Sequence, residues 1–217
     1  MTTTTTLSHA KDGEAPVFYL TEEHDHDGHS TVIGFWIFLM SDVLLFCGLF
    51  AIYAWLGGHY ANGPSPLDDG HGGQLFHLPV VAVNTVIMLA SSFICALAMV
   101  ETRKGNVGPA LKWFGLTALF GVAFLYNQVT EYGHMAEIGA TYQTSAFLSC
   151  FITLIIAHSF HVLTGIVWVA ILAVQVLQHG LNPANERRAV CFSMFWNFID
   201  ITWVCVFIFV YLMGVLR

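Results

Sequence analysis

Apolar positions along this chain gather into five long runs, at about residues 32–56, 78–100, 111–132, 146–178 and 190–214, with short polar stretches between them. A bilayer's hydrocarbon core is about 30 Å thick and takes about 20 apolar residues as a helix, so each run predicts one transmembrane helix. The third is the weakest, because it turns polar after Tyr126. The fourth is longer than a bilayer needs, which predicts a tilted or projecting helix. Pro79, Pro109 and Pro183 fall at starts or in connections, where a missing N–H is tolerated. The expected architecture is all-α: a polar N-terminal tail (1–31), then a polytopic membrane bundle of five transmembrane helices (32–217).

Composition agrees with that pattern. Hydrophobic residues make up 56% of the chain and charged residues 10%, which places it among integral membrane proteins. A net charge of −7 without any basic cluster excludes nucleic acid as a partner. The five cysteines, Cys47, Cys95, Cys150, Cys191 and Cys205, all lie inside apolar runs with no C-x-x-C pair. They read as small core residues rather than a disulfide framework or zinc site. The tail lacks the basic start and short apolar core of a cleavable signal, so the first apolar run must direct insertion.

Positive charge sets the expected topology. Of the seven Lys and Arg, all but Arg217 fall on one side of a five-span layout: Lys11 in the tail, Arg103, Lys104 and Lys112 around the second connection, Arg187 and Arg188 in the fourth. The positive-inside rule then predicts a cytoplasmic N-terminus and a periplasmic C-terminus. Trp36, Trp55 and Trp113 lie near span ends as interfacial anchors, whereas Trp168, Trp196 and Trp203 lie deeper and are expected between helices.

Candidate chemistry resides in the polar residues within these runs. Asp42 and Asp200 each lie about ten residues, or roughly 15 Å at 1.5 Å per residue, from one end of their helices. An aspartate at such depth costs on the order of 2.5–3.5 kcal/mol on insertion scales. His158 and His161 lie near the middle of the fourth span and share a face at a spacing of three. All four are expected in one layer. The short connection around HGLNPANERR makes spans four and five antiparallel neighbours, which suggests a hydrogen bond from one of these histidines to Asp200. Such a site handles protons or seats a lipid headgroup; the plainer reading is a polar clamp that fixes the bundle. Asp42 has no basic neighbour in sequence and is open to a proton-linked role. Asn84, Asn127, Gln128, Gln175 and Asn197 suit interhelical hydrogen bonds, and Glu131 lies near enough to the outer interface to be partly hydrated. His24, His26 and His29 alternate with Asp25 and Asp27 in a weak metal-like pattern, which a solvated acidic tail explains better. Two midplane histidines on one helix do not make a bis-histidine haem site or a copper cluster. No phosphate loop, nucleophile triad or zinc motif is present, so no catalytic centre, redox cofactor or metal is expected in this chain.

Three strings carry a family resemblance: GFWIFLMSDVLLFCGLFAIYA, AHSFHVLTGIVWVAILAVQ and CFSMFWNFIDITWVCVFIFVYLMG. They resemble subunit III of the haem–copper terminal oxidases. The five-span layout and HGLNPANERR look most like the subunit III of bo-type ubiquinol oxidases. The likeness begins near residue 32. It implies an accessory subunit in a bacterial inner membrane, beside a catalytic subunit I that carries haem and copper. The complex so implied oxidises ubiquinol, reduces oxygen to water and pumps protons. Bound phospholipid and a stabilising role toward subunit I are implied too, with no redox cofactor in this chain and no span ahead of Val32. The family's membrane carboxylate falls on Asp42, its H-x-x-H face on His158 and His161, and its acidic last-helix position on Asp200. One departure is Asn197, where relatives often have histidine; asparagine can hydrogen-bond but cannot titrate. Rival readings are subunit III of a cytochrome c oxidase or nitric oxide reductase complex and, from another class, a small proton-coupled transporter. Against the last, the five spans show no inverted repeat and no proline-broken helix.

Overall fold

The computed structural model describes residues 17–56, 78–137 and 145–212. They form five helices: α1 (Val17–Leu56), α2 (Leu78–Arg103), α3 (Val107–Glu137), α4 (Ala146–His179) and α5 (Pro183–Val206), the last continued by a π-helical segment, Phe207–Leu212. Each contains a stretch long and apolar enough to cross a membrane. Helix is the only open-chain solution there, because hydrocarbon offers the backbone no other hydrogen-bond partners. No strand occurs among the described residues.

Two helices outrun their apolar patterns. Helix α3 continues to Glu137 through the polar end that weakened its signal, and α1 begins at Val17, inside the sequence expected to be a tail. Once a helix is nucleated each added residue costs little, so a hydrophobic anchor can carry a polar turn with it. Pro79, Pro109 and Pro183 all lie in first turns, where no intrahelical N–H bond is lost. Ser145 caps α4 by accepting from the Leu148 amide at 3.2 Å.

The two described connections are tight. Between α2 and α3, Gly105 (φ 77°) lets the chain turn while Glu101 takes hydrogen bonds from Lys104 at 2.7 Å and Asn106 at 2.9 Å. Between α4 and α5, Gly180 (φ 69°) ends the helix and donates to Val176 O at 2.9 Å. Both glycines occupy the left-handed region that a side chain disfavours.

Helices α2, α3, α4 and α5 form a four-helix ring in which each packs on the next and α5 closes against α2; α1 stands outside it, chiefly against α4 and α5. Outward positions are apolar, including Leu44, Phe93, Phe160 and Ile201, as a surface facing lipid requires. Trp55 is 80% exposed near the end of α1, where an interfacial anchor belongs.

The ring is centred on Trp196. Its indole lies against Gly121 of α3 and Gly165 of α4, where a Cβ added to either glycine would come 2.8 Å from a ring carbon. Its Nε1 donates to Ser91 Oγ of α2 at 3.1 Å, and Ser91 donates to Met88 O at 2.7 Å. One side chain of α5 thus touches all three other ring helices. About two turns along, Trp203 repeats the device, donating to Thr85 Oγ1 at 3.1 Å while its ring meets Phe124 edge-on.

Gly165→Ala is therefore expected to destabilise the fold by about 1–3 kcal/mol through overpacking, read as a lower thermal midpoint of the purified protein. Combining it with Trp196→Phe should cost less than the sum of the two single changes; strict additivity would separate the glycine from the indole.

Candidate functional site

Helix α1 carries no Lys or Arg to answer Asp42, yet the fold supplies a partner from α4. His161 Nε2 lies 3.2 Å from Asp42 Oδ1, in hydrogen-bond geometry, and 3.1 Å from Oδ2. His161 Nδ1 lies 2.7 Å from the carbonyl of Ala157, one turn back. A carbonyl only accepts, so Nδ1 carries a proton and donates it. A neutral imidazole then presents an acceptor at Nε2, which faces two carboxyl oxygens. The contact is attractive only if one more proton is present, either on Asp42 or on Nε2. In both forms the pair is neutral overall, which is what a low-dielectric interior tolerates. Asp42 and His161 therefore form one hydrogen-bonded unit that joins α1 to α4.

His158 lies one turn from His161 and has a different environment. It is fully buried, and its imidazole meets the rings of Phe46, Phe124 and Trp203 at 6.5, 5.8 and 5.1 Å between centroids. Neither ring nitrogen has a hydrogen-bond partner. Phe46 of α1 also packs on His161 at 5.1 Å, so this one phenyl ring spans both histidines.

The expected bond between Asp200 and a histidine of α4 is not formed. Asp200 is buried beside Ser92 of α2, and its Oδ1 has no hydrogen-bond partner. The reason is helix rotation: seating Trp196 toward Gly165 and Ser91 turns Asp200 toward α2, while His161 turns out to α1. With Gly165 against Trp196, the register of α4 and α5 puts His161 and Asp200 about one turn from the indole and His158 about a turn farther, so the four expected in one layer are spread over two.

Both carboxyl oxygens of Glu131 are enclosed, and neither has a hydrogen-bond partner among the described residues. The Tyr211 phenol lies near it and is itself beside Gln128 and Tyr53, and Tyr53 Oη donates to Val210 O at 3.4 Å. Asn84 accepts from Asn127 Nδ2 at 3.0 Å across α2 and α3, leaving Asn84 Nδ2 and Gln128 Oε1 without partners. Each buried group left so costs about 1–3 kcal/mol.

Asn197 is exposed and held on both sides of its amide: it donates to Ser193 O at 2.8 Å, and Ser92 donates to its Oδ1 at 3.0 Å. Gln175 accepts from Arg188 at 2.9 Å. Sequence reasoning missed the residues that complete these contacts. Ser91, Ser92 and Thr85 look like ordinary small polar residues of an apolar run, and their spacing against Trp196, Asn197 and Trp203 is the signal that pairs α2 with α5. Asn185, which donates to Gly180 O at 2.9 Å, was hidden in the connection it staples.

The described residues contain no group of three or more His, Cys, Asp or Glu able to hold a metal ion. The donor set does not fit haem or copper: His161 is engaged at both nitrogens, and aromatic rings close around His158. The side chains of His24, His26 and His29 lie outside the described residues, as do His59, His71 and His77.

A double-mutant cycle on Asp42 and His161 should return a coupling of about 0.5–3 kcal/mol in the stability of the protein. Asp42→Leu with His161→Leu is expected to be milder than the summed single changes. The same cycle on Asp200 and His161 should be additive, and a coupling as large as the first would contradict the rotation that Trp196 imposes on α5.

Residues 19–215 match the family described as cytochrome c oxidase subunit III. The cytochrome bo(3) ubiquinol oxidase subunit 3 of Pseudomonas aeruginosa is 45% identical over 89% of this chain and 92% of its own length. Its counterpart in Pseudomonas putida is 43% identical over 88% and 90%. The quinol oxidase subunit 3 of Bacillus subtilis is 35% identical over 96% and 98%. Five apolar helices in the order and spacing seen here, matched along nearly their whole extent, make this chain a member of the cytochrome c oxidase subunit III family.

Proposed function

We propose that this chain is the accessory, non-redox subunit III of a bacterial proton-pumping ubiquinol oxidase. The observation that carries the reading is the likeness, at 45% and 43% identity and across about nine-tenths of both partners, to proteins named as subunit 3 of a ubiquinol oxidase. Oxygen reduction belongs to the haem- and copper-bearing partner, and this chain stabilises that partner and seats phospholipid against it. The exposed apolar faces of α1 and α4 offer surface for both tasks. The chain is a multi-pass protein of the inner membrane, and the distribution of Lys and Arg supports a cytoplasmic N-terminus and a periplasmic C-terminus. On that orientation the α2–α3 and α4–α5 turns face the cytoplasm and the α3–α4 end faces outward.

Within this role the Asp42–His161 pair is both a clamp and a store for one proton. It fastens α1, the least embedded helix of the five, to the ring. Asp200, Asn197, Glu131 and His158 shape the ring interior by packing and hydrogen bonding.

The tagged chain, purified in mild detergent, should bring with it a large partner showing haem bands in a reduced-minus-oxidised spectrum. The preparation should consume oxygen with quinol as donor. Uptake with cytochrome c alone would move the assignment to the cytochrome c oxidase branch, and a colourless chain purifying alone would end it. In the assembled enzyme, Asp42→Asn should shorten the working lifetime during turnover or lower the proton yield; an enzyme unchanged in both would leave Asp42 a packing residue.

A further inference from the structure

The polar groups of the bundle interior are distributed unevenly about Trp196. On the side of the α2–α3 and α4–α5 turns, the buried polar side chains among the described residues are bonded: Ser91 to Met88 O, Ser92 to Asn197, Thr102 to Ala98 O, Thr117 to Trp113 O and Asn185 to Gly180 O. On the other side, toward the end of α3 and the start of α4, lie Asn84, Gln128, Glu131, His158 and Asp200, each with a buried nitrogen or oxygen that has no partner. They occupy successive levels. Asp200 shares the layer of the Asp42–His161 pair, His158 and Asn84 lie about a turn farther on with Trp203, and Gln128 and Glu131 follow along α3 toward Glu137. Donors and acceptors are both represented, and three helices besides α3 contribute.

A buried amide, imidazole and carboxyl left unpaired together are too costly for a stable bundle. Water is the molecule small enough to enter an enclosed site and able to both donate and accept there. We infer that this half of the bundle is an internal water-binding site, running from the level of Asp42 and His161 to Glu131, and that the pair exchanges its shared proton with the aqueous face at the α3–α4 end along it. Trp196 ends the file. Its ring fills the space between Gly121 and Gly165, and beyond it Phe114, Phe192, Phe195 and Trp168 form an aromatic layer. The route is therefore open to one side only, and it carries a proton to the pair without leaking one across the membrane. It belongs to this chain's own interior and stands whether or not Asp42 bears on turnover.

The test has two arms on the intact membrane complex. A cryo-EM map of the wild-type protein in lipid nanodiscs, fine enough to resolve water, should show density within about 3 Å of Gln128 and Glu131 side-chain atoms. No such density should appear between Trp196 and the α2–α3 turn. An interior in which these side chains close on one another without water would overturn the proposal, as would water equally present on both sides. In the second arm, infrared spectroscopy follows hydrogen–deuterium exchange of the carboxyl or imidazolium bands that Asp42→Asn removes or shifts. Glu131→Leu with Gln128→Leu should slow that exchange about tenfold or more, the factor that about 1.4 kcal/mol of added barrier gives. Unchanged exchange in that variant would refute the route. Should the variant fail to assemble, the wild-type map decides.

Discussion

Trp196 can stand at the centre of four helices only because two of them present glycine at its level. With Gly121 and Gly165 in place, α3 and α4 approach the indole face and edge directly, and the ring N–H fixes α2 through Ser91. Contact between an indole and bare backbone leaves little freedom to slide or turn. Helix packing in lipid has no hydrophobic effect to drive it and relies on close fit and hydrogen bonds, so this one contact sets both spacing and rotation. Everything at neighbouring levels inherits its orientation, including the direction in which Asp200, His158 and His161 point.

The second constraint is electrostatic. Helix α1 brings a carboxyl to mid-membrane, and α4 answers with an imidazole already committed at its other nitrogen. Holding Nδ1 on the Ala157 carbonyl removes the freedom to swap tautomers, so the histidine cannot adapt to an ionised aspartate without taking a proton itself. The backbone of α4 thereby fixes which ring nitrogen faces the aspartate of α1. Phe46 reinforces it from the same helix as Asp42, its ring covering both histidines.

Much of this architecture was legible in the sequence, and the limits are physical. The five spans were visible because hydrocarbon imposes a length and an apolar composition on anything that crosses it. The antiparallel contact of α4 and α5 followed from the short connection around Asn182 and Pro183. What could not be read was rotation about the helix axes. From spacing alone His161 and Asp200 faced each other as well as any pair did, and only the seating of Trp196 turns them apart. Nor does a sequence say that α1 lies against α4 rather than α2, so the partner of Asp42 was invisible. Glu131 was legible as a residue close to a span end, but nothing near it in sequence said that the Tyr211 phenol would lie beside it. Ser91 and Ser92 carried no distinguishing mark until the tryptophan and asparagine opposite them were known.

The place of α1 has a consequence for biosynthesis. It is the first of the five helices to leave the ribosome, yet its principal contacts are with the last two. Asp42 and His161 are 119 positions apart, which at about 5–20 residues per second separates their synthesis by roughly 6–24 s. For that interval Asp42 is without its histidine, while α2 and α3, which pack most extensively on each other, can already pair. Asp42 can first be matched when α4 arrives, and the seat of α1 is complete only once α5 has followed.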